Sequence, residues 1–311
     1  MKLSQQIHMM GTTIDLLIED DQADLKLEIA CQLLDIYNKR FSANDSESEL
    51  SQINHQAGLK PVQIHPELFE LIKIGKKESL STPSNLNIAL GPVTQAWHIG
   101  FPDAKLPDSQ EIQKLLLLSN PEMIILDEEN LTVFLQQKGM IIDLGALAKG
   151  YIADQIIKKI NASSILINLG GNVLVSGPNS NRESSSWNIG IQSPTKPRGM
   201  HVGVVSIENQ SVVTSGIYER SFELEGKTYH HIFSSRTGYP IETEMASLTI
   251  LADKSLTCEI WTTRLFGLPI LDVLQIIDDR PEIEGIIITK AGQILYSENI
   301  KSHFNLIYKR E

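Results

Sequence analysis

Apolar residues in "ADLKLEIACQLLDIYNKRF" recur at four-residue spacing, which puts Leu25, Ile29, Leu33 and Tyr37 on one face of a predicted helix. The polar stretch "SANDSESELSQINHQAG" follows, and its Ser and Asp residues suit a turn and a helix cap. Leu68, Leu71, Ile72 and Gly75 mark a second helix after Pro66, and Ser109 is placed to cap a third, "SQEIQKLLLL". From Met123 the period shortens. "MIIL", "LTVFL" and "MIID" read as strands in quick succession, with "DEEN" a hairpin-like break among them. A helix follows, with Leu147, Ala148, Tyr151, Ile152, Ile156 and Ile160 as its buried stripe. "SILINLGG", "WNIGIQ", "HVGVVSI", "SVVTS" and "KTYHHIF" continue as strands. Helices are predicted from Ser255 to Phe266 and from Pro269 to Ile277, and a closing hairpin around "TKAGQ".

Helices and strands are segregated more than alternated, which predicts an α+β protein. "SGPNSNRESSSW" reads as a surface loop between two strands of one continuous sheet region. Neither a repeat nor a linker divides the chain, so residues 1–311 are expected to form a single domain.

Charge narrows the partners. A net charge of −11 and a pI near 5.3 repel phosphate backbones and anionic membranes, which argues against a nucleic-acid function. An anionic cofactor must then be held locally, by backbone N–H groups, a helix start, a lysine or a metal ion. Cys31 and Cys258 lie far apart outside any CxxC pair and are read as core thiols. The opening "MKLSQQIHMMGTTIDLLIEDDQADL" has no apolar signal region, and no stretch is long and apolar enough to span a bilayer. The expectation is a cytoplasmic protein without membrane insertion.

Several segments carry candidate chemistry. In "GMIIDLGALAKGYIAD" a buried strand would deliver Asp143 to its end, Gly145 permits a tight turn, and the amides from Ala146 to Gly150 open a helix beside Lys149. That arrangement suits a phosphate or a metal ion, and equally a plain strand–turn–helix connection. "INLGGNVLVSG" places two glycines after a strand, without the GxGxxG spacing of a dinucleotide fold. Thr214, Ser215 and Gly216 put a hydroxyl and amides at a strand end. His230 and His231 point to opposite faces if their strand continues, so only one can face a site. Glu259 and Thr263 sit one helical turn apart, a pair of hard oxygen donors for Mg2+ or a solvated carboxylate beside a back-bonded hydroxyl.

Read in order, the chain resembles the FAD:protein FMN transferase family, the ApbE-like proteins. The matching pieces are "MGTTIDL", "RFSANDSESELSQIN", "IALGPVTQAWHIG", "IDLGALAKGYIAD", "INLGGNV", "WNIGIQSP", "VVTSGIYERSFELEGKTYHHI", "RTGYP" and "CEIWTTRLFG", from about Met10 to Gly267. The resemblance implies largely antiparallel sheets with packed helices in a T-fold-like architecture. It also implies Mg2+-dependent transfer of FMN from the substrate FAD to a Thr or Ser hydroxyl of an acceptor flavoprotein, with release of AMP. Its residue roles fall on Met10, Asn85, Leu86, Asn87, Asp143 and Lys149 around FAD. Thr214 and Phe233 join that cofactor-binding set, and Asn44 takes the place of the family's tyrosine platform. The metal ligands correspond to the Ala146 carbonyl, Glu259, Thr262 and Thr263. His231 matches the histidine expected to help deprotonate the acceptor hydroxyl, with Lys149 beside it in the catalytic set.

Three departures stand out. Asn44 stacks poorly where tyrosine is usual. Glu259 replaces an aspartate and is one methylene longer. Ser234 and Ser235 replace Asp-Pro, and Glu242 and Glu244 are the nearest carboxylates that would compensate. The same site would serve FAD hydrolysis to FMN and AMP, and an FAD-binding protein of weak activity is a third reading.

Overall fold

The computed structural model describes residues 1–181 and 183–307. Its first element is a hairpin absent from the predicted list, β1 (Lys2–Met9) and β2 (Thr12–Glu19). Ile14, Leu16 and Ile18 alternate inward on β2, and Met10 and Gly11 both adopt positive φ, as a two-residue hairpin turn requires. α1 (Ala23–Phe41) then crosses the sheet, followed by α2 (Glu49–His55), β3 (Val62–Gln63) and α3 (Pro66–Leu80). The buried face of α1 is Ala23, Ala30, Leu34, Tyr37 and Phe41, whereas Leu25 is 50% exposed. The expected stripe thus shares only Tyr37 with the buried one. Two leucine-containing stripes compete in this helix, and the stripe with small alanines packs closest.

α4 (Gly91–Trp97) and α5 (Ser109–Leu117) lead to the hairpin β4 (Ile124–Asp127) and β5 (Thr132–Leu135). Asp108, not Ser109, caps α5, its carboxylate accepting from the Gln110 N–H at 2.8 Å. "MIID" joins no ladder. The Asn54 side chain bonds both the Ile142 N–H (2.8 Å) and its carbonyl (3.0 Å), standing in for a strand partner. The Asp143 N–H donates to the Ile88 carbonyl at 2.9 Å.

α6 (Ala148–Ile160), β6 (Ser164–Leu169) and β7 (Asn172–Ser176) follow, then β8 (Trp187–Gln192), β9 (His201–Ile207) and β10 (Ser211–Gly216). The hairpin β11 (Ser221–Leu224) and β12 (Lys227–His230) precedes β13 (Met245–Ala252), α7 (Ser255–Leu265), α8 (Ile270–Asp278), β14 (Glu284–Thr289), β15 (Ile294–Tyr296) and β16 (Phe304–Leu306). The main sheet has eight strands in the order β1-β2-β6-β7-β10-β13-β14-β15, all paired antiparallel. β8 belongs to a separate three-stranded sheet with β9 and β16. The loop before Trp187 therefore connects two sheets rather than two strands of one. The architecture is α+β with antiparallel sheets.

One face of the sheet packs on α1, α3 and α6 through Ile14, Leu34, Leu71 and Ile156, and a second cluster joins β13 to α7 and α8 through Leu248, Cys258 and Val273. Every residue of β13 is buried. Cys258 lies in this core, and Cys31 is half-buried against the first cluster. No described helix is long and apolar enough to cross a membrane.

Candidate active site

The segment before α6, the stretch of α7 from Glu259 to Thr263 and the ends of β7 and β10 converge on a cleft of about 810 Å3. Two helices set its chemistry. α6 starts at Ala148 because Asp143 builds the turn before it, its Oδ1 accepting from the Gly145 N–H at 2.8 Å and its Oδ2 from the Thr94 hydroxyl at 3.1 Å. α7 starts where the Asp154 carboxylate on α6 accepts from the Ser255 and Leu256 N–H groups at 2.8 and 3.0 Å. Burial raises the Asp154 pKa to about 6, against those two hydrogen bonds.

The helices touch at Gly150. A Cβ there would lie 2.7 Å from the Ser255 carbonyl carbon and oxygen, so the close approach requires glycine. That approach lets buried Glu259 reach across: its Oε2 accepts from the Gly150 N–H at 2.7 Å and its Oε1 pairs with Lys149 Nζ at 3.0 Å. Gly150→Ala should therefore destabilise the fold by about 1–3 kcal/mol, the scale of an overpacked core site. A thermal melt of the variant checks this, and an unchanged midpoint would show that the interface relaxes freely.

Glu259 thus satisfies one of the free amides at the start of α6. Gly150 lies in the first turn of α6, where amides have no acceptor within the helix, and Ala146 precedes the cap residue Leu147; among the described residues no backbone amide donates to the Ala146 carbonyl. Ala146, Glu259 and Thr263 all line the cleft, offering a carbonyl, a carboxylate and a hydroxyl. Thr262 also lines it, although its hydroxyl back-bonds to the Glu259 carbonyl at 3.1 Å. Among the described residues no three His, Cys, Asp or Glu side chains cluster as a metal cage. The donor set thus fits a hard cation that keeps part of its water shell, as Mg2+ does, and does not fit a softer metal.

Asn172 adds a donor beside it. It is 2% exposed, its Oδ1 accepts from Lys149 Nζ at 3.1 Å, and its Nδ2 has no partner among the described residues. The ammonium fixes which way the amide points, since a flip would set two donors face to face. An orphaned buried donor next to a lysine suits an anionic oxygen.

His231 sits at the end of the β11–β12 hairpin and lines the cleft. Its Nδ1 lies 3.2 Å from the Arg220 carbonyl, which can only accept, so Nδ1 carries the proton and Nε2 keeps a lone pair. Burial drives the imidazole pKa down to about 4, and the charges of Arg220 and Lys149 act the same way. His230 turns inward, its Nε2 against the Ile241 carbonyl at 3.1 Å.

The other expected positions divide. Asn44, Thr214 and Phe233 line the cleft, as do Asn85 and Asn87. Both asparagines also brace the wall, Asn85 through the Phe233 carbonyl (2.7 Å) and Asn87 through the Ser119 carbonyl (2.8 Å). Leu86 is buried in the core and Met10 packs against it, so neither lies on the cleft wall, although Gly11 does. Ser234 caps a turn, accepting from the Arg236 and Thr237 N–H groups. Glu242 and Glu244 are exposed and off the wall. Sequence reading passed over Thr94 and Asn172, and took Gly150 for its helix-opening amide without the close approach of α7 that requires glycine there. "INLGGNV" drew attention to its glycines, whereas the partnerless group is the asparagine after them.

The fold is that of ApbE structures. It superposes on the crystal structure of the ApbE protein from Thermotoga maritima with a TM-score of 0.89 at 24% identity, over 97% of this chain and 99% of the other. The flavin transferase ApbE from Vibrio cholerae gives 0.83 at 20% identity, over 97% and 99%.

The ApbE family model matches residues 10–287, and this chain belongs to that family. It is 40% identical over 277 residues to a FAD:protein FMN transferase of Klebsiella pneumoniae (strain 342), covering 88% of this chain and 85% of the relative. A Treponema pallidum protein of the same name is 32% identical, covering 91% and 82%.

Proposed function

We propose that this protein transfers FMN from FAD to a Thr or Ser hydroxyl of an acceptor flavoprotein, using Mg2+ and releasing AMP. The observation that carries the reading is the convergence on one cleft of an unclaimed Ala146 carbonyl, the Lys149–Glu259 pair and the free Nε2 of His231.

The acceptor oxygen attacks the phosphorus of the FMN half, the bond to the bridging oxygen breaks, and AMP leaves with that oxygen. The hydroxyl proton passes to His231 Nε2. An anionic substrate beside the ring favours imidazolium, which moves its pKa up towards a value useful to a base. Lys149 and the Asn172 Nδ2 hold phosphate oxygens in place. Ala146, Glu259 and Thr263 would hold Mg2+, with Thr262 behind them, and the ion would neutralise the phosphate oxygens that shield phosphorus from attack. The Asp143 turn sets the start of α6 and so the position of Lys149.

Intact-mass measurement of an acceptor domain with an exposed threonine tests this. Incubation with the protein, FAD and Mg2+ should add one FMN phosphodiester, and EDTA should abolish the gain. AMP release without added mass would assign the cleft to hydrolysis by water. Neither product would overturn the reading.

A further inference from the structure

We propose that His98 and Phe101, with Arg220 beside them, form a stacking platform for one flat heteroaromatic ring of the dinucleotide, a subsite that rests on the flavin-transfer reading above. α4 ends at His98 in the left-handed conformation (φ 49°), and the chain reverses through Gly100 (φ 100°). That reversal lays the Phe101 ring on the His98 ring, with centroids 4.0 Å apart and planes within 7°. The turn is built to hold this pose. Asp103 Oδ1 lies 2.6 Å from His98 Nδ1, the Phe101 N–H donates to the His98 carbonyl at 3.2 Å, and the Lys105 N–H to the Trp97 carbonyl at 3.1 Å.

Both rings line the cleft, and Phe101 remains 40% exposed. The other phenyl rings of the wall, Phe233 and Phe266, are 7% and 1% exposed and belong to the core. Asn44 offers no ring at all. An exposed apolar ring braced in a cleft of mixed polar and apolar lining is matched to a planar ligand, because every nucleobase or flavin presents a π-face.

Arg220 supplies the charge. Its Cδ lies 3.0 Å from where a Cβ on Gly100 would stand, so glycine is what lets the arm cross the turn. Its Nη2 lies 3.6 Å from the corresponding point on Gly11, and among the described residues no carboxylate pairs with it. A guanidinium in this place both borders a stacked ring and reaches an attached phosphate.

The test measures equilibrium binding of FAD, FMN and AMP without Mg2+, so that nothing turns over, to the full-length protein and to Phe101→Ala and Phe101→Trp. The alanine variant should bind FAD at least about tenfold more weakly, the scale of one lost ring stack, and the tryptophan variant should restore it. A matching loss for FMN alone assigns the ring to the isoalloxazine, and a loss for AMP alone assigns it to adenine. Near-identical FAD affinity in wild type and the alanine variant, with both folded by circular dichroism, overturns the platform while leaving the transfer reading intact. Failure of the wild type to bind FAD overturns that reading and the subsite with it.

Discussion

Glu259→Gln should reduce transfer at least about 100-fold while leaving the fold in place, on the scale of removing one charged group from a phosphoryl-transfer site. The carboxylate is 3% exposed and does two things at once. Its Oε2 accepts from the Gly150 N–H and so holds α6 to α7, and its Oε1 positions the Lys149 ammonium. Glutamine keeps an acceptor for the amide but removes the charge that pairs with Lys149 and that the proposed Mg2+ would need. Glu259→Ala removes both, leaving the Gly150 N–H buried without a partner, which costs about 1–3 kcal/mol. The pair of variants therefore separates chemistry from architecture. AMP release and acceptor mass should fall in both, whereas the melting midpoint should drop clearly only in the alanine variant. A glutamine variant that transfers FMN at near wild-type rate would remove Glu259 from the proposed Mg2+ ligands.

How far the site could be read from sequence depended on whether its groups act through side-chain identity or through backbone geometry. That Glu259 and Thr263 share one face of α7 was readable from helical spacing, and both line the cleft, whereas a metal-holding role came only from the resemblance. The helix α3 was readable in full, since Leu68, Leu71, Ile72 and Gly75 are all buried. β13 was not, because a strand buried on both faces carries no sustained alternation, and "MASLTILA" alternates only from Ser247 to Ile250. "MIID" was misread for the converse reason: it has a strand's composition, but its backbone is satisfied by the Asn54 amide, a contact made 88 residues away. The role of Gly150 was equally hidden. Its glycine matters through the α7 backbone it meets, which lies more than a hundred positions further along the chain. Asn44, by contrast, was placed on the cleft from sequence, and what the reading did not contain was the Phe101 ring that the α4 exit turn brings to the same cleft.

His231→Gln should lower transfer by about 100-fold to 10,000-fold, the range for losing a positioned general base, with FAD affinity changing far less. The same substitution should leave a signature in stability against pH, and its sign follows from the direction of the shift. Burial holds the folded imidazole at about 4, below its unfolded value of 6.5, so the unfolded chain binds more protons between these limits. His231 therefore favours the folded state above pH 6.5, and this contribution is lost as pH falls through the folded value. Asp154 has the opposite slope. Its pKa rises from 3.8 to about 6 on folding, so its contribution is greatest below pH 3.8 and is lost as pH rises through 6. In the wild type the two slopes oppose one another over pH 4–6. Removing His231 should unmask the Asp154 slope, so that the variant becomes less stable on going from pH 4 to pH 6 by more than the wild type does. Denaturant titrations across that range read the difference directly. Parallel curves would mean that folding does not hold the His231 imidazole below its ordinary range, and its place as the base would then rest on the transfer rate of the variant alone.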